Sequence, residues 1–244
     1  MTTAAPTEIL STEGVRSLEV RWIFPGELAS AVAGWFARFP VKTTVLKDAY
    51  LLDPHLPGLS VKVRGARALE VKVYRGSPGL LEVTGRTRGR LESWQKWSFP
   101  HGPADLDGRD PAGWRPVSKQ RRISRFSLAG RLVRASDRGL GEEPSCAVEL
   151  TDVHARGEAC WTLGFEATGP TNVLRSELEA AAALVLAVPL PGGLELGVDD
   201  SRSYAQWLYQ RPQALGLSRE PEGDPLAEFA RDSFHIRDGQ SCGR

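Results

Sequence analysis

Polar and apolar residues alternate with period two along LSVKVRGARALEVKV, residues 59–73, which predicts two short strands joined by a tight Gly-Ala-Arg-Ala connection. Lys62 and Arg64 share one face of the first strand and Val61 and Val63 the other; on the second, Glu70 and Lys72 oppose Leu69, Val71 and Val73. The pattern returns elsewhere. Ser17, Glu19 and Arg21 alternate with Leu18, Val20 and Trp22, and Arg90, Glu92, Trp94 and Lys96 form one parity of RLESWQKW. Lys119 and Arg121 sit in VSKQRRIS, Glu149 lies between Val148 and Leu150, and Glu166 and Thr168 alternate with Trp161, Leu163 and Phe165. Each predicted strand thus carries a charged face. In an open sheet those faces are solvated; in a closed one they line a polar interior.

Taken in order, residues 1–14 have no period and predict a flexible arm. A strand over 16–24 ends at Pro25-Gly26, and ELASAVAGWFARF places Leu28, Val32, Trp35, Phe36 and Phe39 at helical spacing as core contacts. A strand near 41–45 and a turn at DPHLPG follow, with His55 in a solvated loop. Residues 75–89 read as a loop with short edge structure, GRLESWQKWSF as one strand, and 100–116 as an irregular connection dense in Pro, Gly and Asp. Segments 146–153 and 159–168 predict an antiparallel hairpin. Asn172 is the predicted cap of a helix reaching Val188, and a last helix over 201–210 offers Tyr204, Trp207 and Leu208 for packing. The reading is one domain over 15–211 with an extension over 212–244.

Composition changes this picture little. Hydrophobic residues make up 41% and charged residues 25% of 244 positions, with a net charge of +1, so no global field advertises nucleic acid. Three cysteines, Cys146, Cys160 and Cys242, lack metal-type spacing and predict a reducing, cytoplasmic setting. No apolar run reaches the roughly 18 residues of a membrane span, and none resembles a signal peptide. The chain contains no G-x-x-x-x-G-K-[ST] or H-E-x-x-H, and its four histidines are scattered. The sequence leaves the oligomeric state open.

The succession SLEVRW, VKVR, LEVKV, a strand with Arg and Glu, a K-x-R strand and late strands with isolated glutamates resembles the CYTH, or triphosphate tunnel metalloenzyme, superfamily over about residues 15–190. The resemblance implies an α+β fold: a closed antiparallel barrel of about eight strands with helices outside. It implies that Arg21, Lys62, Arg64, Lys72, Arg90, Lys96, Lys119 and Arg121 bind a tri- or polyphosphate, and that Glu19, Glu149 and Glu166 hold Mg²⁺ or Mn²⁺. Lys72 and Glu92 are the candidate catalytic residues. Where the family opens with E-x-E-x-K this chain has Ser17, Glu19 and Arg21, and the late E-x-E is Glu166 followed by Thr168. Two functions follow. One is a metal-dependent phosphohydrolase acting on a tri- or polyphosphate; the other is a non-catalytic binder of nucleotide, polyphosphate or an RNA 5′ end. A purely structural role would more cheaply be served by an apolar interior.

Overall fold

The computed structural model describes residues 14–210 apart from 54, 66–67, 84, 101–112, 129–133, 137–142 and 156. The predicted arm, except Gly14, the 212–244 extension, Cys242 and most of the 100–116 connection lie outside the described residues. In chain order the elements are β1 (Val15–Pro25), α1 (Ser30–Phe36), β2 (Lys42–Leu51), β3 (Leu59–Arg64), β4 (Ala68–Gly76), β5 (Leu80–Val83) and β6 (Thr87–Arg90). Then come β7 (Glu92–Pro100), β8 (Trp114–Ser127), β9 (Arg134–Ser136), β10 (Ser145–Ala155), β11 (Glu158–Thr168), α2 (Leu174–Leu186) and α3 (Tyr204–Gln210).

The main sheet runs β10-β11-β1-β7-β4-β3-β2-β8, and β8 pairs again with β10. That last pairing, Phe126 opposite Cys146 through Ser118 opposite His154, closes an eight-stranded antiparallel barrel. Closure removes the open edges that a sheet of this size would otherwise expose. β9 adds a short pairing to the end of β8, and β5 and β6 form a separate hairpin.

Alternation decides which side of the wall each residue faces. Leu18, Val20, Trp22, Val148, Leu150, Leu163 and Phe165 point outward into one apolar cluster with Leu174, Leu178, Ala181 and Val185 of α2. Each such side chain, fully buried, contributes about 1.5–3 kcal/mol. Val32, Trp35 and Phe36 of α1 join the same cluster, as their helical spacing predicted. The β5–β6 hairpin covers Val20 and Trp22 at very short range. A Cβ on Gly89 would lie 2.5 Å from both side chains, so only glycine fits there, and the Trp22 indole N–H donates to Arg88 O at 3.0 Å. No described helix is long and apolar enough to cross a membrane.

Three sequence readings need correction. RLESWQKWSF is two strands, not one: Leu91, fully buried, separates β6 from β7, and its N–H donates to Gly79 O. The chain there leaves the outer hairpin and enters the barrel wall. The short edge structure expected within 75–89 is most of that hairpin. The strand expected near 41–45 extends to Leu51 because β3 and β8 flank it on both sides. Asn172 does not cap α2: Val173 is the N-cap residue with no side-chain cap, since a turn from Val173 N–H to Pro170 O carries the chain past Asn172.

Candidate functional site

The inward parity of the barrel strands gathers six acids and six bases around one cavity of about 80 Å³: Glu19, Asp48, Glu70, Glu92, Glu149 and Glu166 with Arg21, Lys62, Arg64, Lys72, Lys119 and Arg121. Opposite charges are therefore balanced in number, and their pairing is dense. Buried pairs of this kind stabilise little against an apolar filling, so their concentration points to a ligand.

Glu92, Glu19 and Glu166 stand in register across β7, β1 and β11. Three carboxylates side by side repel, and Lys72 answers them. Its ammonium lies 2.6 Å from Glu19 Oε1 and 3.3 Å from Glu166 Oε1, with Lys96 3.7 Å from the same Glu166 oxygen. Ser17 Oγ also donates to Glu19 Oε1, at 2.6 Å, and the Trp94 indole N–H to Glu92 Oε2, at 3.0 Å. Burial alone would push the Glu166 carboxyl up, but Lys72 and Lys96 hold it far below the usual carboxylate range. Burial would likewise lower Lys72, and Glu166 and Glu19 raise it instead.

On the opposite wall Lys62 faces Glu70 in register, with its ammonium 3.2 Å from Glu70 Oε2 and 3.9 Å from Asp48 Oδ2. Arg64 reaches Glu70 Oε1 at 2.9 Å. Desolvation, opposed by Tyr50, brings the Lys62 ammonium below its ordinary value, with Arg64 and Lys119 acting in the same direction. Asp48 Oδ1 and Arg64 Nε are buried polar atoms with no protein hydrogen-bond partner, a rare condition that a ligand or water relieves.

Between these walls, Arg121 Nε donates to Glu149 Oε2 at 2.7 Å and Arg121 Nη2 donates to the same oxygen. Glu149 Oε1 accepts from Thr151 Oγ1 at 2.7 Å and from Arg21 Nη1 at 3.4 Å. Burial would raise the Glu149 carboxyl, but Arg121 and Arg21 hold it well below the carboxylate range. Gly164 makes this possible: it pairs with both Arg21 and Glu149, and a Cβ there would lie 2.9 Å from Arg21 Cζ. The glycine is needed for space.

One end of the barrel is covered by α3. Tyr204 lies beneath Arg21, whose Cζ is 4.4 Å from the ring centroid, and beneath Lys119, whose Nζ is 4.1 Å away. Lys119 also donates to Tyr50 OH at 2.6 Å and to Asp48 Oδ2 at 3.1 Å. Trp207 and Leu208 pack with Ile23, Val117 and Val153, and Tyr204 packs against the same cluster, as expected; Tyr204 also lines the cavity. Side-chain exposure rises from 4% at Lys119 to 32% at Arg64 and 25% at Lys96, so the mouth lies at the far end.

Of the residues singled out in the sequence, Glu19, Arg21, Lys62, Arg64, Lys72, Glu92, Lys119, Arg121, Glu149 and Glu166 line the cavity. Lys96 meets them through Glu166. Arg90 does not join them: it is exposed on β6, outside the barrel, and its backbone N–H donates to Ser201 Oγ at 2.8 Å. Asp48, Tyr50, Glu70, Gly164 and Tyr204 complete the site without having been assigned to it. Glu70 shares the parity of Lys72, and Asp48 and Tyr50 share one parity of β2, so alternation could have found these three; Gly164 and Tyr204 carry no local signal.

Glu19 and Glu166 offer hard oxygen donors on neighbouring strands and suit Mg²⁺ or Mn²⁺ in donor chemistry, with Glu92 one strand further. Glu149 does not, because two guanidinium groups and a hydroxyl already occupy both its oxygens. Among the described residues no three acid, His or Cys side chains are gathered around one point, since the Lys72 ammonium stands between Glu19 and Glu166.

No family model matches the chain, and no curated protein matches it. Among solved structures it is similar to a Pyrococcus horikoshii OT3 protein, at 14% identity and a TM-score of 0.44 over 80% of this chain and 99% of that one. It is also similar to a Mimivirus capping enzyme triphosphatase, at 11% identity and a TM-score of 0.36 over 70% and 89% of the two chains. A third is a Hippeastrum protein described as a putative adenylyl cyclase with a dominant triphosphatase activity, at 10% identity and a TM-score of 0.35 over 70% and 87%.

Proposed function

We propose that the barrel interior binds the phosphate chain of a tri- or polyphosphate-bearing compound, a nucleotide or an RNA 5′ end included, and hydrolyses a phosphoanhydride bond within it. The observation that carries this reading is the convergence of six bases from β1, β3, β4 and β8 on one enclosed space. Guanidinium and ammonium groups so placed give charge-assisted hydrogen bonds to phosphoryl oxygens. The six facing acids make the cavity neutral, so a countercharge carried in with a polyanion strengthens its hold. This supports dependence on a divalent cation, which Glu19 and Glu166 would hold, and which when bound polarises a phosphoryl oxygen.

With those two carboxylates engaged, Lys72 turns from them toward the phosphate and neutralises charge that develops in the transition state. Arg21, Lys62, Arg64, Lys119 and Arg121 align the chain for in-line displacement. Glu92, beside Glu19 and oriented by the Trp94 indole, accepts the proton of the attacking water. The water oxygen bonds to phosphorus as the bridging P–O bond breaks, and the leaving phosphate keeps the bonding pair.

Phosphate release from tripolyphosphate, measured with Mg²⁺, Mn²⁺ or chelator, tests this in the parent, Glu19→Gln, Glu166→Gln and Lys72→Ala. The expected result is metal-dependent release in the parent, with the Gln variants losing turnover far more than affinity. One observation favours binding without turnover: Glu149 is fully committed to arginines, and Ser17 and Thr168 stand where further carboxylates would complete each pair. On that second reading tripolyphosphate binds the parent and no metal elicits release. Absence of binding at low salt overturns both.

A further inference from the structure

Arg21 and Arg121 enclose an anion-sized space that a residue of the chain itself fills. Arg121 presents Nε and Nη2 to one oxygen of Glu149, while Thr151 Oγ1 and Arg21 Nη1 serve the other. Arg21 Nη1 also donates to Thr162 Oγ1 at 2.9 Å, and the Thr162 hydroxyl is 3.0 Å from Tyr204 OH, which holds the Arg21 guanidinium in place. Two guanidinium groups with converging hydroxyls form the donor set that recognises a phosphoryl group. Gly164, between the two strands, keeps the space open. Tyr204 closes its inner side, so the pocket lies at the end of the cavity opposite the mouth.

We propose that this fork is the innermost phosphoryl subsite and that Glu149 is its resident competitor, a carboxylate occupying the place of the chain's terminal phosphoryl group. The inference rests on the polyphosphate reading and specifies its ligand: a chain that ends in a free phosphoryl group. Glu149 is tethered, so it competes at high effective concentration. Orthophosphate, with no second foothold, fails to displace it. A tri- or polyphosphate also engages Lys62, Arg64 and Lys72 nearer the mouth, and that added binding displaces Glu149 from the arginines. Glu149 thereby sets chain-length selectivity and acts as a specificity-determining residue.

Binding of orthophosphate and of tripolyphosphate is measured by calorimetry at low salt with chelator, in the parent, Glu149→Gln and Glu149→Ala. The glutamine variant keeps the side-chain volume and removes the charge. The expected result is that the parent binds tripolyphosphate and discriminates against orthophosphate. In either variant the ratio of the two affinities falls about tenfold or more, because orthophosphate gains most from the vacated charge-assisted bonds. A folded variant with an unchanged ratio overturns the inference. If the parent fails to bind tripolyphosphate while a variant binds orthophosphate, the polyphosphate reading falls and the fork remains an anion site. Should both variants fail to fold, the parent decides: the Arg121 Nε–H resonance must move with tripolyphosphate and stay with orthophosphate. No movement at the highest tripolyphosphate concentration overturns the proposal.

Discussion

The Lys72 ammonium lies 2.6 Å from Glu19 Oε1 although β7 separates their strands, β4 and β1. Two side chains reach each other over an intervening strand only where the sheet curves and both point to the concave side. The same ammonium touches Glu166 on β11, three strands from its own. One lysine thus joins both halves of the acidic wall and occupies the space between its carboxylates.

Lys72→Ala is expected to lower stability by about 3 kcal/mol, the usual cost of leaving buried charges without their partner. Mg²⁺ or Mn²⁺ should recover part of that loss, since the vacated space lies between two hard donors. Thermal melts of parent and variant, with metal and with chelator, measure both effects. A variant no more responsive to metal than the parent contradicts a cation site at Glu19 and Glu166.

Gly164→Ala is expected to displace Arg21, because the new Cβ would lie 2.9 Å from its Cζ. Overpacking of this kind costs about 1–3 kcal/mol. Denaturant unfolding measures the loss, and tripolyphosphate affinity should fall with it as Arg21 leaves the fork. Unchanged stability would mean that Arg21 has another equally good place.

Acid should destabilise the barrel steeply. The carboxyls of Glu149 and Glu166, and those of Asp48 and Glu70, are depressed by neighbouring bases against the upward push of burial. A group whose folded value is depressed contributes stability above its unfolded value, near 4.5 for glutamate and 3.8 for aspartate, and loses it as pH falls through the folded value. Melting temperature should therefore hold above about pH 5 and fall progressively below it. Glu149→Gln should flatten that fall, and a slope equal to the parent's would show that Glu149 is not paired in solution.

Tyr204→Ala removes the ring beneath Arg21 and Lys119, whereas Tyr204→Phe removes only the hydroxyl shared with Thr162. Loss of two partly buried cation–ring contacts should cost about 1–2 kcal/mol and loosen α3. Limited proteolysis within 201–210 should then quicken in the alanine variant and stay near the parent rate in the phenylalanine one. Equal rates in all three would show that the other α3 contacts, Trp207, Leu208 and the Tyr209 hydroxyl bonded to Asp53, hold it without Tyr204.

Cys146 and Cys160 are both free and buried, and burial pushes the Cys160 thiol up to about 12 and Cys146 higher. Neither should react with a thiol reagent in the folded protein, and both should react on unfolding. Timed labelling followed by mass measurement of the peptides checks this. Fast labelling of either would mean that the β10–β11 hairpin opens in the native state.

Alternation in the sequence determined the strands and the side of the wall each residue faces. Period two is a local property of an extended backbone, so Glu19, Lys62, Lys72, Lys119 and Glu149 were legible as inward candidates from their neighbours alone. The same rule misplaced Arg90, because parity carries across residues only while the strand continues, and Leu91 interrupts it by burying itself beneath the outer hairpin. Tertiary structure alone decided which charges meet. Closure depends on β8 pairing with β10 across a long connection, and nothing local specifies that register. The Lys72–Glu19 contact, the space left by Gly164 for Arg21 and the position of Tyr204 under two bases all follow from closure. They are contacts between residues far apart in the chain, set by curvature and packing, which no local pattern encodes.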